Sequence, residues 1–415
     1  MENLFLDPTL IIIIAGLIGF FMAFGIGAND VANAMGTSVG SKAITLKQAV
    51  IIAAIFEFLG AYFAGGEVTS TIRKGIVDPS IYSNDVNIFI IGMLSSLLAA
   101  GLWLLIASSK GWPVSTTHSI VGAIVGFVLI SKGASNVSWG TVGGIASSWI
   151  TSPLVSGLMA FLLYLSAKHL ILDRNNPTKA AVSVIPFYSF FVTAVICLVT
   201  ARKGLKHVGI NWTDNEIYLF TFVLSLMVSF FTFLFLFFKS SKLSSNVENQ
   251  FGILMIITAC AMAFAHGSND VANAIGPIAA VVSIVTSDGT IQTSSELNSW
   301  VLLLGAVGIV FGLAILGRHV IKTVGEKITT LTPSLGFSAN MATASTVLAA
   351  SYLGFPISTT HTLVGGVIGV GLARGYKYLD LNSIKRIFLS WIITIPVGAT
   401  FTILFYVILR LIFNV

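Results

Sequence analysis

The chain has 415 residues, of which 55% are hydrophobic and only 9% are charged. Soluble domains carry roughly 25% charged residues, so the composition excludes an ordinary soluble protein and indicates a membrane protein that crosses the bilayer many times. The net charge of +6 is distributed over the polar stretches rather than gathered in one basic patch, which argues against nucleic acid as a partner.

The apolar residues form runs long enough to cross a bilayer as helices. A hydrocarbon core about 30 Å thick needs about 20 residues of helix. We therefore predict an all-α polytopic membrane protein with about 12 transmembrane segments. They lie near 9–28, 46–65, 87–107, 114–131, 140–166, 181–200, 216–238, 250–285, 299–316, 335–352, 356–373 and 384–413.

The N-terminal stretch MENLFLDPTL contains acidic residues and no basic ones. A cleaved signal peptide begins with basic residues, so we expect the first helix to be retained. Cys197 and Cys260 both lie in apolar segments and show no metal-ligand spacing. They are interpreted as packing residues, and no bound cofactor is expected.

Two separate motifs each occur twice, in the same order. NDVANAMG at 29–36 matches NDVANAIG at 269–276 at seven of eight positions. PVSTTHSIVGAIVG at 113–126 matches PISTTHTLVGGVIG at 356–369 at eight of fourteen positions. This duplication predicts two transmembrane repeats. The first repeat is placed at 1–170, two connecting spans and a polar linker at 171–249, and the second repeat at 250–415.

The number of crossings decides how the repeats are oriented. If the segment at 114–131 crosses the bilayer, seven crossings precede the second repeat and the repeats are inverted. If it is a re-entrant hairpin, six precede it and the repeats are parallel. With the N-terminus outside and every segment crossing, fifteen of the 22 basic residues fall in inside loops, which fits the positive-inside tendency. We therefore predict inverted repeats with both termini on the outer face.

The first motif places polar residues in the middle of an apolar segment. Gly25 and Gly27, and Gly267 in the second copy, are predicted to break the helix there, with the Asn-Asp pair capping the helix that resumes. Carboxylate, amide and freed carbonyl oxygens would then meet in one place, as a hard monovalent cation requires. Such a pair could instead join helices. The predicted sodium ligands are Asn29, Asp30, Asn33, Asn269, Asp270 and Asn273.

The second motif, P-[VI]-S-T-T-H, predicts the start of a helix. Pro113 prevents the preceding chain from continuing as helix, and Ser115 is a favourable N-cap. The unpaired backbone N–H groups of Thr116, Thr117 and His118, the hydroxyls and the positive end of the helix dipole would together form an oxyanion site. His118 and His361 are interpreted as orienting or capping residues, because neither has a second ligand at metal-binding spacing. The predicted oxyanion ligands are Ser115, Thr116, Thr117, Ser358, Thr359 and Thr360.

The paired G-x-N-D-V-A-N-A and P-[VI]-S-T-T-H motifs resemble those of the inorganic phosphate transporter (PiT) family, and the resemblance covers essentially the whole chain. It implies secondary active import of inorganic phosphate by symport with sodium. Other members use protons or metal–phosphate complexes, and a sulfate-transporting branch exists, so these remain alternatives. The resemblance assigns the co-transported sodium to the Asn-Asp motif residues and phosphate to the Ser-Thr-Thr residues named above.

Glu57 resembles an acidic residue of the family's first repeat. The corresponding stretch of the second repeat, from Gly308 to Phe311, contains no acid. An intramembrane acid is a functional candidate, although Glu57 could also be an ordinary partner of a neighbouring helix. We assign it, with His118 and His361, a coupling or orienting role, and leave the ion stoichiometry open.

Other classes of membrane protein fit the sequence less well. A channel needs a continuous polar pore, whereas these polar residues cluster in four short motifs. A Ser/His enzyme needs an orienting acid and an oxyanion hole, and a primary pump needs a nucleotide motif, G-x-x-x-x-G-K-[ST], that the sequence lacks. We therefore expect a non-enzymatic secondary transporter of the cell (inner) membrane. Its expected partners are phosphate, sodium and the lipid bilayer, with homo-oligomerisation left open.

Overall fold

The computed structural model describes residues 4–204, 212–240, 246–291, 297–321 and 330–415. Within them the chain consists of α-helices, short 3-10 and π segments, turns and one isolated β-bridge, which confirms the predicted all-α fold. The main helices are α1 Pro8–Gly40, α2 Leu46–Ala64, α3 Gly66–Lys74, α4 Val86–Ser109, α5 Thr116–Ser131, α6 Trp139–Ala167, α7 Pro177–Val199, α8 Asp214–Ser240, α9 Glu248–Thr286, α10 Ser299–Ile315, α11 Pro333–Tyr352, α12 Thr359–Arg374 and α13 Leu381–Phe413.

Each predicted apolar segment overlaps one of these helices, but the prediction that all twelve cross the membrane is not confirmed. Among the described residues, eight helices are long and apolar enough to cross a membrane: α1, α2, α4, α6, α7, α8, α9 and α13. Helices α5 and α10 are apolar but have only 16 and 17 residues. Both fall short of the requirement of about 20 residues for a helix that spans a bilayer.

Four of the helices form two hairpins instead of independent crossings. In hairpin 1, made of α4 and α5, Asp85 before α4 and Lys132 after α5 form an ion pair of 2.6 Å. The hairpin therefore ends on the side from which it entered. Hairpin 2, made of α11 and α12, meets it tip to tip, where Thr117 Oγ1 donates to the carbonyl of Ile357 at 3.0 Å. Because the tips meet, neither hairpin crosses the whole bilayer, and the predicted re-entrant helices are these four arms.

The two repeats run in opposite directions. Near the middle of α1 and α9, Asp30 and Asp270 belong to one group of side chains whose oxygen and nitrogen atoms lie within 4.8 Å of one another. Earlier in α1, Gly19 faces Ile278, which comes later in α9, so the two helices are antiparallel. Hairpin 1 begins and ends on the same side, so it does not count as a crossing. The helices that cross before the second repeat are then α1, α2, α6, α7 and α8, which is an odd number. The inverted arrangement is confirmed, and the parallel alternative is excluded.

The predicted helix break at Gly25, Gly27 and Gly267 is wrong, because α1 and α9 continue as helices through these positions. The Asn-Asp pairs therefore lie inside helices and cap nothing. The glycines permit close packing: a Cβ on Gly27 would lie 1.9 Å from the carbonyl oxygen of Ile309, and one on Gly267 would lie 2.2 Å from that of Glu57. Each repeat's first helix thus packs against the second helix of the other repeat. This contact outweighs the helix penalty of a glycine, which is about 1 kcal/mol.

Helices α7 and α8 pack against each other outside this interlocked core, where Ser229 Oγ donates to the carbonyl of Pro186 at 2.8 Å. Phe222, Phe230 and Phe231 of α8 are exposed, as expected for a helix that faces lipid. This packing does not test the division of the chain after residues 170 and 249, which stays a prediction.

We expect Gly267→Ala to destabilise the protein and Gly252→Ala, in the same helix, not to do so. A Cβ at position 267 has no room, so α2 and α9 must separate, which costs about 1–3 kcal/mol. A Cβ at position 252 would meet nothing within 4 Å, and alanine favours the helix by about 1 kcal/mol over glycine. Thermal unfolding of both purified variants in detergent measures the difference. Equal unfolding midpoints would contradict the packing role of Gly267.

Candidate functional site

The twelve predicted ligand residues lie together in the centre of the protein. Each is buried, with at most 2% of its surface exposed. The Asn-Asp residues come from the middle of α1 and α9, and the Ser-Thr-Thr residues come from the tips of the two hairpins. The two repeats therefore contribute to a single polar cluster.

The first asparagine of each motif fastens a hairpin tip. Asn29 Nδ2 donates to the carbonyl of Trp112 at 2.9 Å and to Ser108 Oγ at 3.1 Å. Its Oδ1 accepts from the N–H of Val114 at 3.1 Å. Asn269 makes the equivalent two donor bonds to hairpin 2, and its Oδ1 has no hydrogen-bond partner among the described residues. The Asn29 amide therefore holds the tip in place with both its donor and its acceptor atom.

Each aspartate accepts a hydrogen bond from the first threonine of the hairpin in its own repeat. Thr359 Oγ1 donates to Asp270 Oδ2 at 2.7 Å, and Thr116 Oγ1 donates to Asp30 Oδ2. The other oxygen of Asp30 has no hydrogen-bond partner among the described residues, although the side chain is buried. A buried carboxylate oxygen without a partner is costly, which makes Asp30 a favourable position for a cation.

The last asparagine of each motif reaches the hairpin of the other repeat. Asn33 Nδ2 donates to Thr360 Oγ1 at 2.8 Å, and Asn273 Nδ2 lies 3.4 Å from Thr117 Oγ1. Asn273 also lies 3.5 Å from Asp270 on the same face of α9, as predicted for residues three apart in a helix. The predicted cation and oxyanion ligands are therefore interleaved in one site.

The serines of the hairpin tips are N-caps, as predicted. Ser115 Oγ accepts the N–H of His118 at 3.2 Å, and Ser358 Oγ accepts the N–H of His361 at 3.2 Å. The histidine N–H groups are thus paired, contrary to the expectation that they would be free for an anion. The two threonine N–H groups at each tip precede the first intrahelical hydrogen bond, so they remain the backbone donors for an oxyanion.

All four threonine hydroxyls at the tips donate to protein oxygens. Thr360 Oγ1 donates to the carbonyl of Val114 at 3.2 Å, which reciprocates the bond from Thr117 to hairpin 2. Thr116 and Thr359 donate to the aspartates. A hydroxyl has only one proton, so each of these groups must turn before it can donate to a phosphate oxygen.

His118 and His361 lie behind the tips, and the orienting role predicted for them stays a prediction. Their Nδ1 atoms lie 3.3 Å from the carbonyl of Trp391 and 3.0 Å from that of Trp149, respectively. The ring of His361 stacks on Trp391 with centroids 3.5 Å apart, and the two imidazoles are 4.5 Å apart. Neither histidine belongs to the group of potential metal ligands found among the described residues. The two tryptophans were not predicted, because each lies alone within an apolar segment.

His266, for which no role was predicted from the sequence, lies beside Asp270 at the edge of the polar cluster. His266 Nε2 lies 2.9 Å from Asp270 Oδ2, and its Nδ1 lies 3.3 Å from Glu57 Oε1, with all three side chains buried. The similarity between the repeats could not indicate His266, because the equivalent position in the first repeat is Ile26. The one available signal was a polar residue within the apolar run that precedes the motif.

Asp30, His266 and Asp270 form a group that is able to hold a metal ion, since one ligand atom of each lies within 4.8 Å of the others. Two carboxylates and an imidazole attract a cation more strongly than amide oxygens alone. The residues that line this point therefore include both aspartates predicted for the cation and one residue that was not predicted.

Inverted repeats that interlock around a buried polar site, with helix N-termini directed at it, define a secondary membrane transporter, in which substrate binds where the repeats meet. Residues 26–402 match the model of the phosphate transporter family. The chain belongs to this family, and it is an integral membrane transport protein without enzymatic activity. The resemblance recognised in the two motifs is thus confirmed.

Similar proteins match the chain almost from end to end. A Haemophilus influenzae protein provisionally named a phosphate permease is 52% identical over 410 residues, with 97% of each chain covered. Inorganic phosphate transporter 2-1, chloroplastic, of Arabidopsis thaliana is 42% identical over 94% of this chain and 70% of its own. The solved structure of a sodium-dependent phosphate transporter is 43% identical, covers 97% of this chain and 100% of its own, and superposes with a TM-score of 0.88.

Proposed function

We propose that the protein imports inorganic phosphate across the cell membrane by symport with sodium, with both termini outside. In this proposal the N-terminal ends of α5 and α12 hold the phosphate, and the two Asn-Asp motifs hold sodium. The observation that carries it is the hydrogen bond from the first threonine of each tip to an aspartate. The sodium-dependent phosphate transporter with the similar structure supports the choice of ion.

The phosphate site uses backbone dipoles and hydroxyls in place of fixed positive charge. Two helix N-termini from opposite repeats point at one position, and each supplies free N–H groups and the positive end of its dipole. The described residues of the site include no lysine or arginine. Binding of the anion therefore depends on cations that accompany it.

Sodium binding would free the threonine hydroxyls for phosphate. While Asp30 and Asp270 lack a cation, Thr116 and Thr359 satisfy them with their only hydroxyl protons. A cation on each carboxylate replaces that interaction and allows the hydroxyls to turn towards a phosphate oxygen. The same cation offsets the repulsion between carboxylate and phosphate. Both effects couple phosphate binding to sodium in the direction that symport requires.

Proton coupling is the second candidate, because His266 lies between Glu57 and Asp270 and its ring nitrogens approach a carboxylate on either side. A neutral imidazole carries only one N–H, so this arrangement is suited to hold an exchangeable proton. Metal–phosphate transport would use the same carboxylates. Sulfate transport is disfavoured, because sulfate has no O–H to donate to Asp30 or Asp270, whereas phosphate at neutral pH retains at least one.

Uptake of labelled phosphate into proteoliposomes tests the proposal when sodium and proton gradients are imposed separately. We expect accumulation with an inward sodium gradient at equal pH on both sides. Accumulation with a proton gradient alone, in the absence of sodium, would instead establish proton coupling. Competition by unlabelled sulfate as strong as that by unlabelled phosphate would assign the protein to the sulfate-transporting branch.

A further inference from the structure

A cavity of about 430 Å³ lies beside the tip of hairpin 1, between the residues that close the tip and the first part of α13. Val114 in its wall accepts the hydrogen bond of Thr360 Oγ1. The cavity therefore adjoins the oxyanion ligands of the central site without including any of them. We call it the basic vestibule.

The basic vestibule faces the side of the protein opposite to the termini. The rings of Phe5 and Phe413 lie 4.9 Å apart, so the end of α13 lies beside the N-terminus. The vestibule is lined by the other end of α13, from Ser383 to Ile393. The tip of hairpin 1, which enters from the side of the termini, points towards the same opening.

Two cationic side chains, Lys110 and Arg386, line the vestibule, and none of the described residues that line it is acidic. Lys110 is exposed at the hairpin tip with its ammonium 4.7 Å from the centre of the Trp112 ring. This tip is fastened to Asn29 of α1. Lys110 and Arg386 are both exposed, so the vestibule is open to the surroundings of the protein. The indole N–H of the buried Trp103, also in the lining, has no hydrogen-bond partner among the described residues.

The equivalent cavity beside hairpin 2 has a different chemistry. It has a volume of about 330 Å³ and lies between α6 and the end of α11. Its polar lining consists of hydroxyl side chains, including Ser147, Ser148 and Thr151, and no charged residue is found in it within the part of the chain that the structure describes. Among the described residues, the positive charge therefore lines the cavity beside hairpin 1 and not the one beside hairpin 2.

We propose that the basic vestibule binds phosphate, or another tetrahedral oxyanion, as a station outside the central site on the side opposite to the termini. Lys110 and Arg386 supply the charge, and the Trp103 indole supplies a hydrogen-bond donor. The inference rests on the proposed transport of phosphate through the central site and adds a second binding position to that route. A basic cleft of this kind raises the local concentration of an anion.

The test uses Lys110→Cys protein in proteoliposomes and two membrane-impermeant thiol reagents of similar size. One reagent attaches a quaternary ammonium and the other a sulfonate, and both modify only molecules whose vestibule faces the bath. For molecules whose vestibule faces the bath, we expect Lys110→Cys to raise the phosphate concentration that half-saturates uptake on the order of tenfold, with an unchanged maximal rate. The ammonium reagent should restore most of the loss, the sulfonate reagent should increase it, and inorganic phosphate should slow both modifications.

Controls separate this inference from the proposed function. Lys47→Gln removes one charge at the start of α2 on the same side without lining the cavity, and should leave half-saturation unchanged. Wild-type protein treated with both reagents accounts for Cys197 and Cys260. If the wild type takes up phosphate but the two reagents have equal effects on Lys110→Cys, the inference about the vestibule is overturned and the proposed function is not. Absence of uptake by the wild type would overturn the proposed function, while protection by phosphate would still support the vestibule. Protection that requires anionic phospholipid and not free phosphate would identify a lipid headgroup site and overturn the inference.

Discussion

Replacement of Asp30 or Asp270 by Asn is expected to remove about half of the free energy by which sodium favours phosphate binding, and replacement of both is expected to remove most of it. Each carboxylate accepts a hydrogen bond from a threonine that is itself a predicted phosphate ligand, so an anion held at the tips lies close to both. At about 5 Å and an effective dielectric constant near 20, each like-charge pair costs on the order of 3 kcal/mol. A cation at each aspartate offsets this cost, so sodium should raise phosphate affinity in the wild type by about 100-fold for each aspartate, or up to about 10⁴-fold for the two together.

Equilibrium binding of labelled phosphate, measured in sodium and in choline at fixed pH and ionic strength, checks this expectation. Linkage requires that phosphate raise the affinity for sodium by the same factor. Asp288→Asn is a matched control, because Asp288 is exposed and has a positive φ of 52° that Asn also adopts readily. Affinity that is equal in the two salts for the wild type would exclude sodium coupling. A variant at position 30 or 270 with full sodium dependence would show that the cation is held elsewhere.

Features with a one-dimensional signature could be predicted from the sequence. The apolar runs became helices because a membrane leaves the backbone no other partner, and Ser115 became an N-cap because the proline two residues earlier ends the preceding segment. The duplicated motifs also indicated which residues lie together in the centre of the protein. Each of these predictions depends on residues that are close together in the sequence, so a local sequence pattern was sufficient to make it.

Features that depend on the packing of distant helices could not be predicted in this way. The motif glycines indicated a broken helix, yet Gly27 and Gly267 contact the backbone of helices that lie far away in sequence. Hairpin 1 contains two apolar segments that each resemble a crossing, and only the meeting of the tips shows that they form one re-entrant unit. His266 has no counterpart in the first repeat, so its role appears only when Glu57 and Asp270 are seen on either side of it.

The second large effect is expected at Glu57 and His266. These two side chains form a polar pair, whereas the equivalent positions of the other repeat hold two apolar residues, Ile309 and Ile26. The crossing of α2 with α9 places Glu57 next to Gly267, and the equivalent crossing of α10 with α1 places Ile309 next to Gly27. The residue that precedes each glycine changes accordingly, from His266 to Ile26. Ile26 and Ile309 are both completely buried, so this crossing is compatible with an apolar pair when both positions are apolar.

His266→Ile alone should destabilise the protein by about 3–5 kcal/mol, because it leaves Glu57 buried without its partner. The double variant Glu57→Ile, His266→Ile should recover the part of that loss that comes from Glu57, since replacing both members of a buried ion pair by apolar residues is often neutral, while Asp270 keeps the hydrogen bond from Thr359 but not its contact with His266. Thermal and chemical unfolding of the wild type, both single variants and the double variant form a double-mutant cycle that measures the coupling energy. A coupling energy near zero would show that the two side chains do not act as a pair. If the double variant is stable and still binds phosphate with full sodium dependence, Glu57 and His266 have a structural role only. If it is stable but has lost that dependence, the two residues take part in the coupling between sodium and phosphate.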